Sequence, residues 1–239
     1  MKEDIAFSGG IHGLQKMTLL DFPGRVACTV FLGGCDFRCP FCHNFELADG
    51  SAKPVMDAEA LFAFLEKRRG LLDGVAITGG EPCLRHDLPA LMRRMRALGY
   101  AVKLDTNGTH PDRLAAILDE GLADYVAMDI KNSPEKYART AGLTSLDLAP
   151  IRESVRLLMQ GGADYEFRTT VVDELHEAAD FEAIGAWIAG ARRYFLQAFT
   201  DRDTVPFAGL HAPSAQRMGE YLAIARRYVP DSALRGVDG

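Results

Sequence analysis

The sequence lacks any apolar run that approaches the roughly 20 residues needed to span a membrane. Its first residues, MKEDIAFSGG, include acidic side chains and have no apolar core of signal-peptide length. No Ser/Gly linker, low-complexity run or change in composition divides the 239 residues. We therefore expect one domain without a membrane partner, and the 48% apolar content is sufficient for one large core.

Positive charge and cysteine are also scarce. The 27 Lys and Arg residues are outnumbered by 33 Asp and Glu residues, and the resulting net charge of −6 leaves no basic stripe to neutralise phosphates. We therefore expect no nucleic-acid partner. The five cysteines are odd in number, and without an export signal they are expected to be metal ligands or buried thiols in a reducing cytoplasm.

What the sequence does contain is a regular alternation of strand and helix. Helical stretches, with apolar residues three and four apart, alternate with short apolar runs that stop at turn residues. This alternation requires parallel strands joined by right-handed crossovers. The predicted strands span 26–32, 74–79, 101–106, 125–130, 165–172 and 194–199. Four helices end in a glycine that can adopt the left-handed conformation, namely Gly70, Gly99, Gly121 and Gly161.

Polar residues cluster at or toward the carboxyl ends of these strands, which is the face where parallel α/β folds build their sites. A curved sheet brings those ends to one centre better than a flat sheet does. We therefore predict a partial (β/α)6 barrel of the TIM type, with a flat doubly wound sheet as the second choice. Residues 1–24 are expected to form an N-terminal extension packed on the barrel.

The stretch FLGGCDFRCPFCHN, after the first strand, places Cys35, Cys39 and Cys42 in a CxxxCxxC pattern. Three thiolates on one loop can bind three corners of a cubane iron-sulfur cluster and leave the fourth iron free to bind a substrate. The alternative is structural zinc with His43 as fourth ligand, but His43 adjoins Cys42 and would have difficulty reaching the same tetrahedron. Two further cysteines, Cys28 and Cys83, could complete a four-thiolate cluster. Cys28, however, lies within a predicted strand, where a buried packing thiol is expected.

Two further motifs follow the second and third strands. Gly79-Gly80-Glu81-Pro82 permits close backbone approach and supplies a carboxylate that could accept from an ammonium group, although such a segment is often an ordinary turn. Asp105-Thr106-Asn107-Gly108 also reads as a turn. Its aspartate could pair with Asp129, and a hard cation could relieve the repulsion between the two carboxylates.

Together, CxxxCxxC with Phe41 before its last cysteine, and GGEP after the second strand, resemble the radical S-adenosylmethionine enzymes over nearly the whole chain. Within that superfamily, LLDFPGRVACTVFLGGCDFRCPFCHN is most similar to the enzymes that activate glycyl radical enzymes, in particular anaerobic ribonucleoside-triphosphate reductase. The resemblance implies a single radical SAM domain over residues 1–239. It also implies one 4Fe-4S cluster whose open iron is chelated by S-adenosylmethionine.

The resemblance also implies roles for individual residues. Those expected to contact S-adenosylmethionine are Phe41, Gly79, Gly80, Glu81, Asp105, Lys131 and Arg168. A solvated Lys131 and an Arg168 held in a structural ion pair are equally compatible with the sequence. By similarity to the pyruvate formate-lyase branch, a monovalent cation could be held by Asp105, Thr106, Met128 and Asp129. In that branch a histidine follows the sixth strand, whereas this chain has none directly after the strand. The nearest candidate is His211, which belongs to no motif.

The implied reaction is reductive cleavage of S-adenosylmethionine to a 5′-deoxyadenosyl radical, which abstracts hydrogen from a glycine of a partner enzyme. The implied electron donor is a flavodoxin or a ferredoxin-type protein. Alternatives are a pyruvate formate-lyase-type activating enzyme or a small-molecule enzyme such as 7-carboxy-7-deazaguanine synthase. From a different class, the chain could be an iron-sulfur or zinc module that only reports metal or redox state.

Overall fold

A computed structural model describes residues 7–236, in which one sheet contains eight strands in sequential order. The first two strands are antiparallel and every later neighbour is parallel. Because the order never reverses, the sheet winds in one direction, as in a barrel and unlike a doubly wound sheet. The two edge strands do not pair within the described range, so the barrel is open. The strands are β1 Gly13–Thr18, β2 Ala27–Leu32, β3 Gly74–Gly79, β4 Ala101–Thr106, β5 Tyr125–Asp129, β6 Asp164–Val171, β7 Tyr194–Ala198 and β8 Ser232–Arg235.

The partial barrel predicted from the sequence is confirmed, with two strands more than predicted. Strands β1 and β8 were missed because GLQKMT has no apolar alternation and SALR is only four residues long. Strand β1 lies in the predicted N-terminal extension and covers the edge of β2. Residues 1–6 of that extension, and residues 237–239, lie outside the described part of the chain.

Six of the eight helices in the described residues follow the predicted pattern, and two of these six begin at a side-chain cap. The Asp57 carboxylate accepts from the Ala60 amide at 2.8 Å, and the Ser214 hydroxyl accepts from the Arg217 amide at 3.3 Å. No helix in residues 7–236 is long and apolar enough to cross a membrane. The helices are α1 Phe45–Asp49, α2 Ala58–Lys67, α3 Leu88–Ala97, α4 Pro111–Asp119, α5 Tyr137–Thr140, α6 Ala149–Gln160, α7 Ala178–Trp187 and α8 Ala215–Arg226.

Three of the four predicted left-handed glycines are confirmed. Gly70, Gly99 and Gly121 have φ of 79°, 91° and 61°. The prediction for Gly161 is wrong, because this residue is extended, with φ −80° and ψ 171°. The chain therefore leaves α6 directly into the turn that starts β6, without a left-handed residue at that position.

The inside of the barrel is charged, whereas the face under the helices is apolar. Side chains alternate along each strand, so that Glu166 and Arg168 share one face of β6 while Phe167 is buried on the other. Glu166 is fully buried and accepts two bonds from Arg235 at 2.5 and 2.8 Å, and one from the Tyr125 hydroxyl at 2.5 Å. Strand β8 thus supplies the cation that compensates the buried Glu166 carboxylate.

Candidate active site at the carboxyl ends of the strands

A cavity of about 270 Å³ lies at the carboxyl ends of the parallel strands, and Cys35, Cys39 and Cys42 line it together. Cys28 is fully buried within β2 and Cys83 is 1% exposed, and neither belongs to the lining. The loop that carries Cys35, Cys39 and Cys42 therefore contributes all of the thiols that line this cavity.

The three thiols are protonated at neutral pH in the ligand-free protein. Burial raises the pKa of Cys35 to about 12 and that of Cys39 to about 11, and it also raises the pKa of Cys42. Metal binds thiolate, so loading this loop with iron must release protons. No three His, Cys, Asp or Glu side chains in residues 7–236 are grouped for a single metal ion. A cubane spreads its thiolates over different irons and does not need that spacing.

Gly79 and Gly80 hold the end of β3 against the cysteine loop. The Gly80 amide donates to the Leu32 carbonyl and the Glu81 amide to the Gly34 carbonyl, each at 2.8 Å. A methyl group on Gly80 would lie 2.0 Å from the Gly34 oxygen, and Gly79 has a φ of 118°. Glycine is therefore required at both positions by backbone packing alone, whatever the loop also binds.

Glu81 lines the cavity, but its carboxylate is directed at the protein. One oxygen accepts from the Cys83 amide at 2.9 Å and the Thr106 hydroxyl at 2.8 Å, and the other accepts from the Asn107 amide at 2.6 Å. Burial raises its pKa to about 7 although these three bonds favour the anion. Glu81 thus joins the loops after β3 and β4, and its second oxygen keeps one free acceptor position.

Asp105 and Asp129 meet in the cavity as predicted, and three protein cations surround them. Arg168 donates to Asp129 at 2.9 Å and to Asp105 at 3.3 Å. Lys131 donates to Asp129 at 3.0 Å and Lys103 pairs with Asp105. Burial opposes ionisation of Asp129, but Arg168 and Lys131 outweigh it and lower its pKa to about 2; the pKa of Asp105 is lowered in the same way by Arg168 and Lys103.

The four residues suggested for a monovalent cation do not all present side chains to the cavity. Asp105, Thr106 and Asp129 line it, but the Thr106 hydroxyl is used by Glu81. Met128 is fully buried and its methyl group lies under Gly108, where a Cβ would be 2.1 Å away. Any contribution of Met128 to a cation would therefore come from its backbone.

Several lining residues were not among the predicted site residues. His43 stacks on Phe199 with ring centres 5.7 Å apart, and its Nε2 lies 2.6 Å from the Thr200 oxygen. His211 is 73% exposed, pairs with Glu174 at 2.6 Å and is not part of the lining. Strand alternation could have found two of the missed residues, since Thr170 follows Arg168 on one face of β6 and Gln197 is the last residue but one of β7. The lining residues that were missed are His43, Asn44, Asn107, Thr170 and Gln197, together with Phe37, Ala48 and Thr78.

The family model described as the Radical SAM superfamily matches residues 29–181, which include most of β2, the cysteine loop and β3 through β6. The chain belongs to the radical SAM superfamily. Membership implies a 4Fe-4S cluster and S-adenosylmethionine as cofactors. The donor set fits that cluster, because three thiols on one loop line one cavity and leave one of four irons without a cysteine.

Three relatives of this radical SAM protein match between 60% and 96% of its length. A candidate glycyl-radical enzyme activating enzyme of Methanocaldococcus jannaschii is 29% identical over 96% of this chain and 97% of its own. The pyruvate formate-lyase-activating enzyme of Listeria monocytogenes is 30% identical over 60% of each chain. The 7-carboxy-7-deazaguanine synthase of Thermococcus kodakarensis is 30% identical over 63% of this chain and 66% of its own.

The fold also matches a solved structure. Streptococcus suis SuiB bound to its precursor peptide SuiA has a TM-score of 0.68 and 15% identity, over 87% of this chain and 48% of that chain. At this identity the likeness concerns the fold alone.

Proposed function

We propose that this chain activates a glycyl radical enzyme, acting as a single radical SAM domain, and that its target is anaerobic ribonucleoside-triphosphate reductase. The observation that carries the proposal is the position of Lys131. Lys131 lines the cavity together with the three thiols, and its ammonium group donates to Asp129 at 3.0 Å, so one cation of the ion-pair cluster borders the same space as the thiols. An amino-acid carboxylate bound beside the cysteine loop would find a cation there.

The remaining cavity residues support a pocket for S-adenosylmethionine. Lys131 and Arg168 would face the ligand carboxylate, and the backbone at Gly79 and Gly80 allows close approach to its amino end. Glu81 and Asp105 would accept from its polar hydrogens, and Phe41, which is 5% exposed, would supply an apolar contact. A 4Fe-4S cluster held by Cys35, Cys39 and Cys42 would supply one electron for cleavage of the bond from sulfur to the 5′ carbon of S-adenosylmethionine.

Glycine is the proposed point of attack on the partner. Its Cα–H bond would break, the hydrogen atom would pass to the 5′ carbon supplied by S-adenosylmethionine, and the unpaired electron would stay on the glycine. Flanking amides stabilise that radical, and glycine has no side chain to block approach. The chain's part in the reaction is positioning, because a primary carbon radical would attack nearly any C–H bond within reach.

The choice of target is tested by electron paramagnetic resonance. The reduced, loaded protein is mixed anaerobically with S-adenosylmethionine and ribonucleoside-triphosphate reductase from the same host. A doublet glycyl signal is expected, and it should be lost when the target glycine is replaced by alanine. If the signal arises on pyruvate formate-lyase and not on the reductase, the activase class is right and the proposed target is wrong.

The cluster assignment has its own matched variants. Cys39→Ala should abolish iron loading and release of 5′-deoxyadenosine under dithionite, whereas Cys83→Ala and Cys28→Ala should keep both. Full activity in Cys39→Ala would refute the assignment. About four irons with acid-labile sulfide in the wild type would exclude the zinc alternative. Reductive cleavage of S-adenosylmethionine by the same protein would exclude a module that only reports metal or redox state.

A small-molecule radical enzyme is the second candidate function, favoured by the similarity to 7-carboxy-7-deazaguanine synthase. The two functions differ in what drives 5′-deoxyadenosine release. Release that needs only a small metabolite, with no protein radical on any glycyl radical enzyme, would favour the second.

Three accessory features belong to the same proposal. A flavodoxin or ferredoxin-type protein would supply the electron, and the cytoplasm would suit five cysteines that are all free. A monovalent cation beside the ligand carboxylate stays a prediction for Asp105, Thr106, Met128 and Asp129. Cleavage rates that do not respond to sodium, potassium or chelation would contradict it.

A further inference from the structure

The loop after β4 sends one amide side chain, that of Asn107, to the cysteine loop. Asn107 is 5% exposed and lies between the cysteine loop and the turn after β3. Its backbone amide donates to Glu81 at 2.6 Å, so the main chain is held independently of the side chain. The link between Glu81 and the loop after β4 thus does not depend on the Asn107 side chain.

The orientation of the Asn107 amide is determined by its neighbours. Its oxygen accepts from the Thr109 backbone amide at 3.0 Å and from the Thr109 hydroxyl at 2.6 Å. A backbone amide can only donate, so oxygen must be on that side and the NH2 group on the other. The NH2 group donates to the Asp36 carboxylate at 2.8 Å, which needs a donor and agrees with this assignment.

The Asn107 NH2 group also lies within hydrogen-bond distance of a sulfur atom. Its nitrogen lies 3.9 Å from the Sγ of Cys35. Within residues 7–236, Cys35 is the one thiol of the three that receives a side-chain donor; its other donor is the Phe37 backbone amide at 3.4 Å. The Asn107 NH2 group therefore spans the first cysteine of the motif and the acidic residue next to it.

We propose that Asn107 is a positioning residue that holds Cys35 in place and raises the reduction potential of the cluster by donating a hydrogen bond to the Cys35 sulfur. The inference rests on the proposed cluster at Cys35, Cys39 and Cys42. Reduction adds negative charge to the cluster and its sulfur ligands, so a fixed donor stabilises the reduced form more than the oxidised form. Asn107 also engages the Asp36 carboxylate, whose charge beside Cys35 would otherwise oppose reduction.

The test is the midpoint potential of the loaded protein, measured by an anaerobic redox titration that is followed by electron paramagnetic resonance. Asn107→Ala should lower the equilibrium constant for reduction about tenfold, the order expected for one charge-assisted hydrogen bond, which is about 59 mV for a one-electron couple. Asn107→Asp keeps the shape, replaces the donor by a carboxylate oxygen, and should lower the potential further at pH 8.

Asn44→Ala is the matched control. Asn44 lines the same cavity, but its side chain donates to the Gly79 carbonyl at 3.1 Å and not to sulfur. The midpoint potential of the Asn44→Ala protein should equal that of the wild type. A fully loaded Asn107→Ala protein with an unchanged midpoint overturns the inference. If Asn107→Ala does not load, an unchanged midpoint in a loaded Asn107→Asp protein overturns the inference. A wild type that binds no cluster, or a Cys39→Ala protein that keeps one, would instead overturn the proposed function.

Discussion

Replacing Arg168 by glutamine removes the guanidinium that Asp105 and Asp129 share. The two carboxylates then face each other with Lys103 and Lys131 as their remaining cations. We expect the ligand-free protein to be destabilised and S-adenosylmethionine binding to weaken, because the same cation is proposed to meet the ligand carboxylate.

The magnitude follows from the geometry of the cluster. Removing one partner of a fully buried ion pair costs about 3–5 kcal/mol. The pKa of Asp129, about 2 against an ordinary 3.8, sets an upper limit of about 2.5 kcal/mol for its own stabilisation. Its side chain is 34% exposed, so solvent screening reduces that contribution. With Asp105 included, we expect the free energy of unfolding to fall by about 2 kcal/mol at pH 7.

The assay is urea unfolding of the ligand-free protein between pH 7 and pH 2. The folded pKa of Asp129 lies below its unfolded value, so its stabilisation is present above pH 3.8 and is lost as the pH falls toward 2. The difference between wild type and Arg168→Gln should therefore be largest at pH 7 and shrink over that acid range.

Arg168→Lys is the matched control for charge. It keeps the cation but cannot bridge both carboxylates with a planar fork, so an intermediate loss of stability is expected. A difference between wild type and Arg168→Gln below about 0.5 kcal/mol at pH 7, the range typical of surface substitutions, would refute the reasoning. So would a difference that is independent of pH.

Three further predictions concern packing and protonation. Gly80→Ala should destabilise the protein by about 1–3 kcal/mol in urea unfolding, since the new methyl group meets the Gly34 oxygen. Gly162→Ala faces open space and should stay within about 0.5 kcal/mol of wild type; equal stabilities of the two variants would contradict this. The affinity for iron should increase from pH 7 to pH 9, because burial raises the pKa of Cys39 to about 11 and iron binding releases protons. An affinity that does not change with pH would contradict this prediction. Burial lowers the pKa of His176, so the contribution of the neutral imidazole to stability is present above pH 6.5 and is lost as the pH falls. In His176→Gln the free energy of unfolding in urea should therefore depend less on pH below 6.5. An unchanged pH dependence would contradict this prediction.

Local patterns were sufficient for most of the architecture. The period of the apolar residues placed six strands and the helices between them, because each pattern depends on neighbours within one or two turns. The CxxxCxxC spacing is equally local, so the cysteine loop and its chemistry could be predicted without a structure. Elements with weak patterns were missed, namely β1 and β8, which are held by pairing with strands that the sequence did show.

Only the tertiary structure decided how the polar residues are used. Arg168 meets Asp105 across 63 positions of the chain, and the sequence left open whether it is a ligand contact or an ion-pair partner. Asn107 reaches Asp36 across 71 positions and appeared in the sequence as part of an ordinary turn. Hydrogen bonds and ion pairs depend on distances of a few ångströms between strand ends, and these distances exist only once the barrel has brought those ends together.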